Sequence, residues 1–389
     1  MAIHVVNEAR RCLHCKKPMC REGCPINTNI PEVIELFRTG HKEDAGAMLY
    51  ANNPLSVICS LVCDHDKQCE GHCVLGRKGA PVHFSSIENY ISDSYLDHLH
   101  LEMQPKTGQR VAIIGSGPAG ITISVLLAQR GYQVTMFESR EKIGGVLRYG
   151  IPEFRLPKSI LDRYKNQLTQ MGIRIRPNTA IGRTLTVDDL QRDGYEAIFI
   201  GTGVWKPKAM GVPGESLGNV NYAIDYLVNP DVYDLGDDLV VIGAGNSAMD
   251  VARTALRKGV RRVSVFCRRY QTAASVREVD YAKADGVEFF YGMRPTRIVD
   301  NGVYYKKVEM DEEGNITSTS EEQFFPCSSV IIAISQGAQN RIVNTTTGLE
   351  MSSHGLLATN EHGETTREGI FASGDVVLGA RTVVEAGKY

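Results

Sequence analysis

Two stretches decide how this chain folds: RVAIIGSGPAGITISVLLAQRGYQVTMFES at residues 110–139 and LVVIGAGNSAMDVARTALRKGVRRVSVFCRR at residues 239–269. Each begins with an apolar run of strand length, turns through a glycine-rich loop, continues as an apolar helix that a glycine ends, and finishes on a second β-run. In both copies the first loop glycine and the helix-ending glycine are sixteen residues apart, Gly115 to Gly131 and Gly243 to Gly259. This is an internal repeat of a βαβ unit, and it predicts an α/β fold with two Rossmann-like dinucleotide-binding domains. Two further runs, AIFIGTG (197–203) and VIIAISQG (330–337), read as buried strands ending in glycine. They predict that the second domain is inserted in the first. The expected divisions are 109–236 and 330–389 for the first domain and 237–329 for the second.

The loops carry the chemistry. Gly115-Ser116-Gly117-Pro118-Ala119-Gly120 follows a strand and opens a helix, where bare backbone N–H groups and the positive helix end suit a pyrophosphate. Glu138 closes the next strand, 23 residues after Gly115, where an acid can hydrogen-bond a ribose hydroxyl. In the second loop, Gly243-Ala244-Gly245-Asn246-Ser247-Ala248, alanine takes the third glycine's place, which the pattern allows. Aligning Val134 with Val263 puts Cys267 at the position of Glu138, followed by Arg268 and Arg269. An acid there repels a 2′-phosphate and two guanidiniums can clamp one, so this site leans to NADP(H), with NAD(H) still open. A third, weaker signal is Gly374-Asp375 near the C-terminus, where a short acid can meet a flavin ribityl hydroxyl or simply make a turn.

The chain has 389 residues, 42% hydrophobic and 23% charged, with a net charge of -2, which excludes wholesale disorder and gives no general pull towards nucleic acid or an anionic membrane. No apolar run is long enough to cross a bilayer, and the N-terminal residues lack a secretory apolar core, so a cytoplasmic protein with reduced thiols is expected. Its ten cysteines then need another explanation. Eight fall within the first 73 residues: Cys12, Cys15, Cys20 and Cys24 followed by Pro25, then Cys59, Cys63, Cys69 and Cys73. Thiolates in close runs suit iron–sulfur clusters, and the Cys-Pro ending suggests ligands that cross between two of them. The spacing also admits structural zinc, with His14, His65 or His72 as further ligands, but a zinc module would not explain a pair of redox nucleotide sites in the same chain. The two runs at residues 12–24 and 63–73 hold seven cysteines, one short of two four-ligand clusters, so either Cys59 or a non-cysteine ligand must serve. Residues 30–54 predict two short helices broken at Gly40, and the polar stretch 102–109 predicts a linker, giving a helical domain over 1–108.

Together these motifs resemble the small subunit of bacterial glutamate synthase and its relatives, the flavin-containing half of dihydropyrimidine dehydrogenase and the large subunit of NADH-dependent ferredoxin:NADP oxidoreductases. The resemblance rests on RCLHCKKPMCREGCPINTNIPEVIE, NPLSVICSLVCDHDKQCEGHCVLG, GSGPAG, GGVLRYGIPEFRLPK, GTGVWKPK, GAGNSAMDVAR and GIFASGDVVLGARTVVEA, which cover nearly the whole chain. It implies a helical domain with two [4Fe–4S] clusters, then an FAD domain interrupted by an NAD(P)H domain. It implies Cys12, Cys15, Cys20 and Cys73 as ligands of one cluster. Cys24, Cys63, Cys69 and an oxygen ligand, matched by Glu88, would hold the other, leaving Cys59 structural. It implies FAD contacts at Gly115, Gly117, Pro118, Ala119, Gly120, Glu138, Gly145, Arg148, Gly374 and Asp375. Nicotinamide-cofactor contacts would be Gly243, Gly245, Asn246, Ser247, Arg268 and Arg269. The chain departs from its relatives where RRYQTAASVREVDY lacks their Met-Pro, and where it stops at VVEAGKY.

The implied chemistry is hydride transfer from NADPH to FAD and single-electron transfer through the clusters, with no protein residue required as a catalytic acid or base. No substrate site is legible, so electrons are expected to leave for a larger catalytic subunit or a ferredoxin-type acceptor in a hetero-oligomer. The alternative is a stand-alone reductase of a small acceptor such as sulfide or polysulfide, or of ferredoxin.

Overall fold

A computed structural model describes residues 4–99, 103–311 and 313–388. It divides into two units, one of residues 1–148, 153–204 and 337–389, the other of 149–152 and 205–336.

The first unit opens with helices Val5–Arg10, Ile30–Arg38, Lys42–Asn52, Ser56–Val62 and Phe84–Asp97, with a single turn of helix at Met19–Glu22. Ile30, Val33 and Ile34 recur at helical spacing and are fully buried beside Leu49, Ile87 and Ile91. Pro31 pre-sets the first turn of its helix, and Gly40, at φ 90°, lets the chain turn into the next. The two helices expected over 30–54 are therefore Ile30–Arg38 and Lys42–Asn52. Among the described residues no single helix is long and apolar enough to cross a membrane. The pair Lys42–Asn52 and Ser56–Val62 is long and apolar enough only when joined across an 83° bend. Its Leu49, Val57 and Ile58 are packed into the core.

The rest of this unit is a five-stranded parallel sheet in the order Ile370–Ala372, Ala197–Ile200, Arg110–Ile114, Gln133–Phe137, Arg174–Arg176. Its central strands are apolar on both faces, as a sheet covered on both sides requires. Helix Pro118–Gln129 ends at Gly131, where φ is 85° and a Cβ would stand 2.1 Å from the Pro105 carbonyl oxygen. The expected linker packs there: Gln104 N donates to Gln129 O (2.8 Å) and Thr107 N to Gly131 O (3.0 Å). Glu102, its first residue, lies outside the described residues. Helix Lys158–Gln170 ties this sheet to the helical region. Tyr164 Oη donates to Pro54 O at 2.6 Å, Gln167 Nε2 to Tyr50 Oη at 2.8 Å, and Arg163 pairs with Asp93 and Asp97.

The second unit holds a parallel sheet in the order Val220–Tyr222, Ser329–Ile332, Asp238–Ile242, Arg262–Cys267, Glu288–Tyr291. Antiparallel strands Met293–Val299, Gly302–Met310, Ile316–Thr319 and Gln323–Pro326 form a separate four-stranded sheet. Two expected divisions move. Val330, Ile331 and Ile332 pair with Val240, Val241 and Ile242, so the run expected to resume the first domain at 330 belongs to the second sheet. The return falls after Gln336, and the long segment of the second unit starts at Trp205 rather than 237. An apolar run of this kind fits the middle of either parallel sheet, and its composition carries no sign of which.

Candidate functional site

The cysteines of the helical region gather into two groups that abut. Cys12, Cys15, Cys20 and Cys73 line an apolar cavity with Leu13, Met19, Ile34 and Phe84. Burial raises the thiol pKa of Cys12 and pushes Cys20 to about 11, and in both cases the charges of Cys15 and Cys73 add to the effect. The second group is Cys24, Cys63, Cys69 and Glu88. A hydrogen bond with Cys59 and then burial hold the Cys63 thiol well above its ordinary value, with Glu88 and Cys69 contributing. Cys69 is raised by burial and by Glu88, Glu70 and Cys24. It also lines the first cavity, so the groups share a wall. Burial pushes the Glu88 carboxyl up to about 8, although Ser56 Oγ donates to it at 2.8 Å. Cys59 is buried beside Cys63 and accepts from Asn53 Nδ2 at 3.2 Å.

These are soft donors in a greasy setting where their anionic forms are unfavourable without a cationic partner. Among the described residues no three His, Cys, Asp or Glu side chains converge tightly enough to hold one metal ion. An apolar cavity with four thiols around its wall has the donor set that an iron–sulfur cluster uses.

The first glycine loop is a cradle. Gly115 has φ 102°, and a Cβ there would stand 2.5 Å from the Gly201 carbonyl oxygen. A Cβ on Gly120 would stand 2.0 Å from the Gly115 carbonyl oxygen, so loop and helix touch backbone to backbone. Gly117, which caps helix Pro118–Gln129, faces open space within 4 Å, the position a pyrophosphate needs. Pro118 and Ala119 form its buried first turn. Glu138, 5% exposed, reaches back to the loop. Ser116 N (3.1 Å) and the Ser116 hydroxyl donate to its Oε2, and Ser139 Oγ (3.1 Å) and Arg140 N (2.8 Å) to its Oε1. Gly145, at φ 51°, backs onto Gly117, where a Cβ would come within 2.9 Å of its Cα.

Arg148 is less available than its motif implies. Its Nε donates to Ile143 O at 2.8 Å and its Nη2 pairs with Asp162 at 2.6 Å. Gly374, at φ 77°, packs beside Ala119 and brings Asp375 to the same end of the sheet. Burial raises the Asp375 carboxyl to about 7, although Arg381 N donates to it at 3.3 Å.

The second loop repeats this backbone. Gly243 has φ 138° and would lodge a Cβ 2.3 Å from the Ala333 carbonyl oxygen, while Gly245 faces open space within 4 Å. Asn246 opens helix Asn246–Arg257, with Ser247 behind it, and accepts from Ser275 N at 3.0 Å. Cys267 is buried, with its thiol raised by burial to about 11, an inert filler. Arg268 and Arg269 are exposed, and among the described residues neither has an ion-pair partner.

Three candidate positions escape sequence reasoning. Ser116 fills one of the loop's variable places, yet its hydroxyl bridges Glu138 and Gly144 N (3.1 Å). Ser56 orients Glu88 from 32 residues away. Thr28 Oγ lies 3.3 Å from Cys24 Sγ and donates to Asn52 Oδ1 at 2.7 Å, so its proton is committed and the Cys24 thiol donates to it. No motif marks the last two, whose partners the helices bring together.

Comparison with known proteins places these features in context. Residues 109–388 match the family model of pyridine nucleotide-disulphide oxidoreductases, and residues 2–99 match that of dihydropyrimidine dehydrogenase domain II, 4Fe-4S cluster. The chain is 34% identical to a glutamate synthase [NADPH] small chain of Halomonas elongata, over 97% of this chain and 87% of that one. It is 32% identical to the NAD-dependent dihydropyrimidine dehydrogenase subunit PreT of Escherichia coli O157:H7, over 98% and 91%. In fold it resembles FprA of Mycobacterium tuberculosis in complex with NADPH, with TM-score 0.60, 19% identity, and coverage of 73% of this chain and 83% of that one.

Proposed function

The chain belongs to the family of glutamate synthase small chains and PreT subunits, NAD(P)H-dependent flavin oxidoreductases with a 4Fe-4S domain, and from that premise we propose that NADPH is its electron donor and a separate protein its acceptor. The observation that carries this reading is the contrast of two like cradles, one closed by the buried carboxylate of Glu138, the other by the unpaired Arg268 and Arg269. In this reading the first cradle holds FAD through the N-terminus of helix Pro118–Gln129, with Glu138 at its ribose and Gly145, Gly374 and Asp375 along its length. Gly243, Gly245, Asn246 and Ser247 hold the nicotinamide cofactor, and Arg268 and Arg269 take its 2′-phosphate.

The reading assigns Cys12, Cys15, Cys20 and Cys73 to one cluster and Cys24, Cys63, Cys69 and Glu88 to a second. It takes residues 1–108 as the iron–sulfur domain, the remainder of the first unit as a two-part flavin domain, and the second unit as the nicotinamide domain. When bound, the flavin converts a two-electron hydride donor into a source of single electrons, and the clusters conduct them. The chain's own work is to bind, orient and insulate. Thiols and carboxyls that burial holds protonated would release their protons to bind a cationic core, and the apolar wall of Ile34 and Phe84 keeps water from it. No acid–base residue is required.

Anaerobic addition of NADPH to reconstituted protein tests the proposal. It should bleach the flavin band and bring up the low-temperature paramagnetic signals of reduced iron–sulfur centres. A bleached flavin with silent iron would contradict the relay. An intact flavin band would contradict the donor.

A further inference from the structure

The charges of the helical region are sorted by place. Residues 1–99 hold ten Lys and Arg and twelve Asp and Glu. Two short runs, 10–21 and 74–83, contain seven of those cations and none of the acids. Both border the cavity lined by Cys12, Cys15, Cys20 and Cys73, with Leu13 and Met19 supplied by the first run and Val74, Leu75 and Val82 by the second. Arg11 clamps them together, donating to Pro81 O (2.9 Å) and Ala80 O (2.5 Å) while paired with Glu8.

The other cations at this rim are not neutralised. Arg10, Lys16, Lys17, Arg77 and Lys78 have no ion-pair partner among the described residues, and Arg21 donates only to the neutral Asn27 Oδ1 (2.9 Å). The region's other Lys and Arg are matched: Arg38 by Glu35, which also reaches the rim to pair with His14 (3.3 Å), Lys42 by Glu43, Lys67 by Asp64. Inside the basic rim sit two exposed apolar side chains, Leu13 at 61% and Met19 at 37% exposure, which also line the thiol cavity.

We propose that this face is the docking site of a small acidic one-electron carrier protein, whose carboxylates meet the six unpaired cations while Leu13 and Met19 form the dry centre of the contact. The inference rests on the electron-export reading above and adds the partner's chemistry. A permanent subunit interface resembles a protein core cut in half, whereas a small apolar centre within a rim of predominantly one sign is the composition of a transient, electrostatically steered encounter. The rim stands out because the chain as a whole is slightly acidic, at -2. The electrons balance: each NAD(P)H oxidised to NAD(P)+ gives up two electrons, reduces two carriers by one electron each, and releases one proton.

The test uses the full reconstituted chain, its iron and flavin content verified, with an acidic bacterial [4Fe–4S] ferredoxin as probe and basic cytochrome c as the opposite-charge control. Binding is measured by surface plasmon resonance at several salt concentrations. Ferredoxin should bind, weakening steeply with salt, and cytochrome c should not. Lys17→Glu/Lys78→Glu should weaken ferredoxin binding at low salt by about tenfold or more, and Lys17→Gln/Lys78→Gln by less. NADPH-driven flavin bleaching should be unchanged in both variants. Equal binding of ferredoxin by the reversed-charge variant, affinity independent of salt, or displacement of ferredoxin by duplex DNA would overturn the proposal. Failure of flavin bleaching in the parent protein would count against the electron-export reading and leave the binding result readable.

Discussion

The loop after strand Arg110–Ile114 and the loop after strand Asp238–Ile242 are built on one backbone plan. Gly115 and Gly243 both have positive φ and press against a neighbouring carbonyl oxygen, while Gly117 and Gly245 both face open space. They differ one strand later. Glu138 is buried and accepts four hydrogen bonds, whereas Cys267 is a silent filler before two exposed, unpaired arginines. The difference points to the proposed division of labour, in which backbone geometry makes room for a pyrophosphate and the side chains at the next strand end select the nucleotide.

The largest expected effect comes from forcing the loops apart at their third position. Gly120→Ala places a Cβ 2.0 Å from the Gly115 carbonyl oxygen, so the helix start must move. The variant should lose about 1–3 kcal/mol of stability and most of its flavin, read by thermal denaturation and by absorbance after gel filtration. The second loop already carries Ala248 there, so retention of flavin by Gly120→Ala would mean that the two loops are interchangeable after all.

Next is Glu138→Ala, which strips the acceptor from Ser116 N and Arg140 N. Leaving buried donors unpaired should cost roughly 1–3 kcal/mol and loosen the flavin, while nicotinamide-nucleotide affinity is unchanged. A parallel loss of both affinities would break the division of labour.

A smaller effect is pH-dependent. The Asp375 carboxyl is raised by burial to about 7 from an ordinary 3.8, so the folded state holds a proton that the unfolded chain gives up. Between about pH 4 and 7 the unfolded chain binds fewer protons, and stability falls as pH rises. In flavin-stripped protein the melting temperature should drop across that window, and Asp375→Asn should flatten the slope.

The smallest effect is on stability at the opposite strand end. Because Arg268 and Arg269 are exposed and unpaired among the described residues, Arg268→Ala/Arg269→Ala should change stability by no more than about 0.5 kcal/mol. A larger loss would mean that these side chains hold the fold together.

Much of this was legible in the sequence because it is local. Glycine spacing, the strand–loop–helix order and the contrast of Glu138 with Arg268 and Arg269 all lie within some thirty residues of chain, where period and turn chemistry speak directly. What escaped depends on distant partners. The run at Ser329–Ile332 pairs in the second sheet, although its composition suits either. Arg148 carries a flavin-site motif yet is held by Asp162 and the Ile143 carbonyl. Ser56 reaches Glu88, and Thr28 reaches Cys24 and Asn52, only because four helices bring them together. The cation rim was visible as letters, but its meaning came from seeing that every other cation of the region is paired.

The most direct test of the account measures NADPH and NADH dissociation constants on the parent protein and on Arg268→Glu/Arg269→Glu, by quenching of intrinsic fluorescence. The parent should bind NADPH more tightly than NADH, and the variant should lose roughly 100-fold for NADPH with little change for NADH. Equal affinities for the two nucleotides in the parent, or equal losses in the variant, would contradict the claim that the second strand end selects the phosphate.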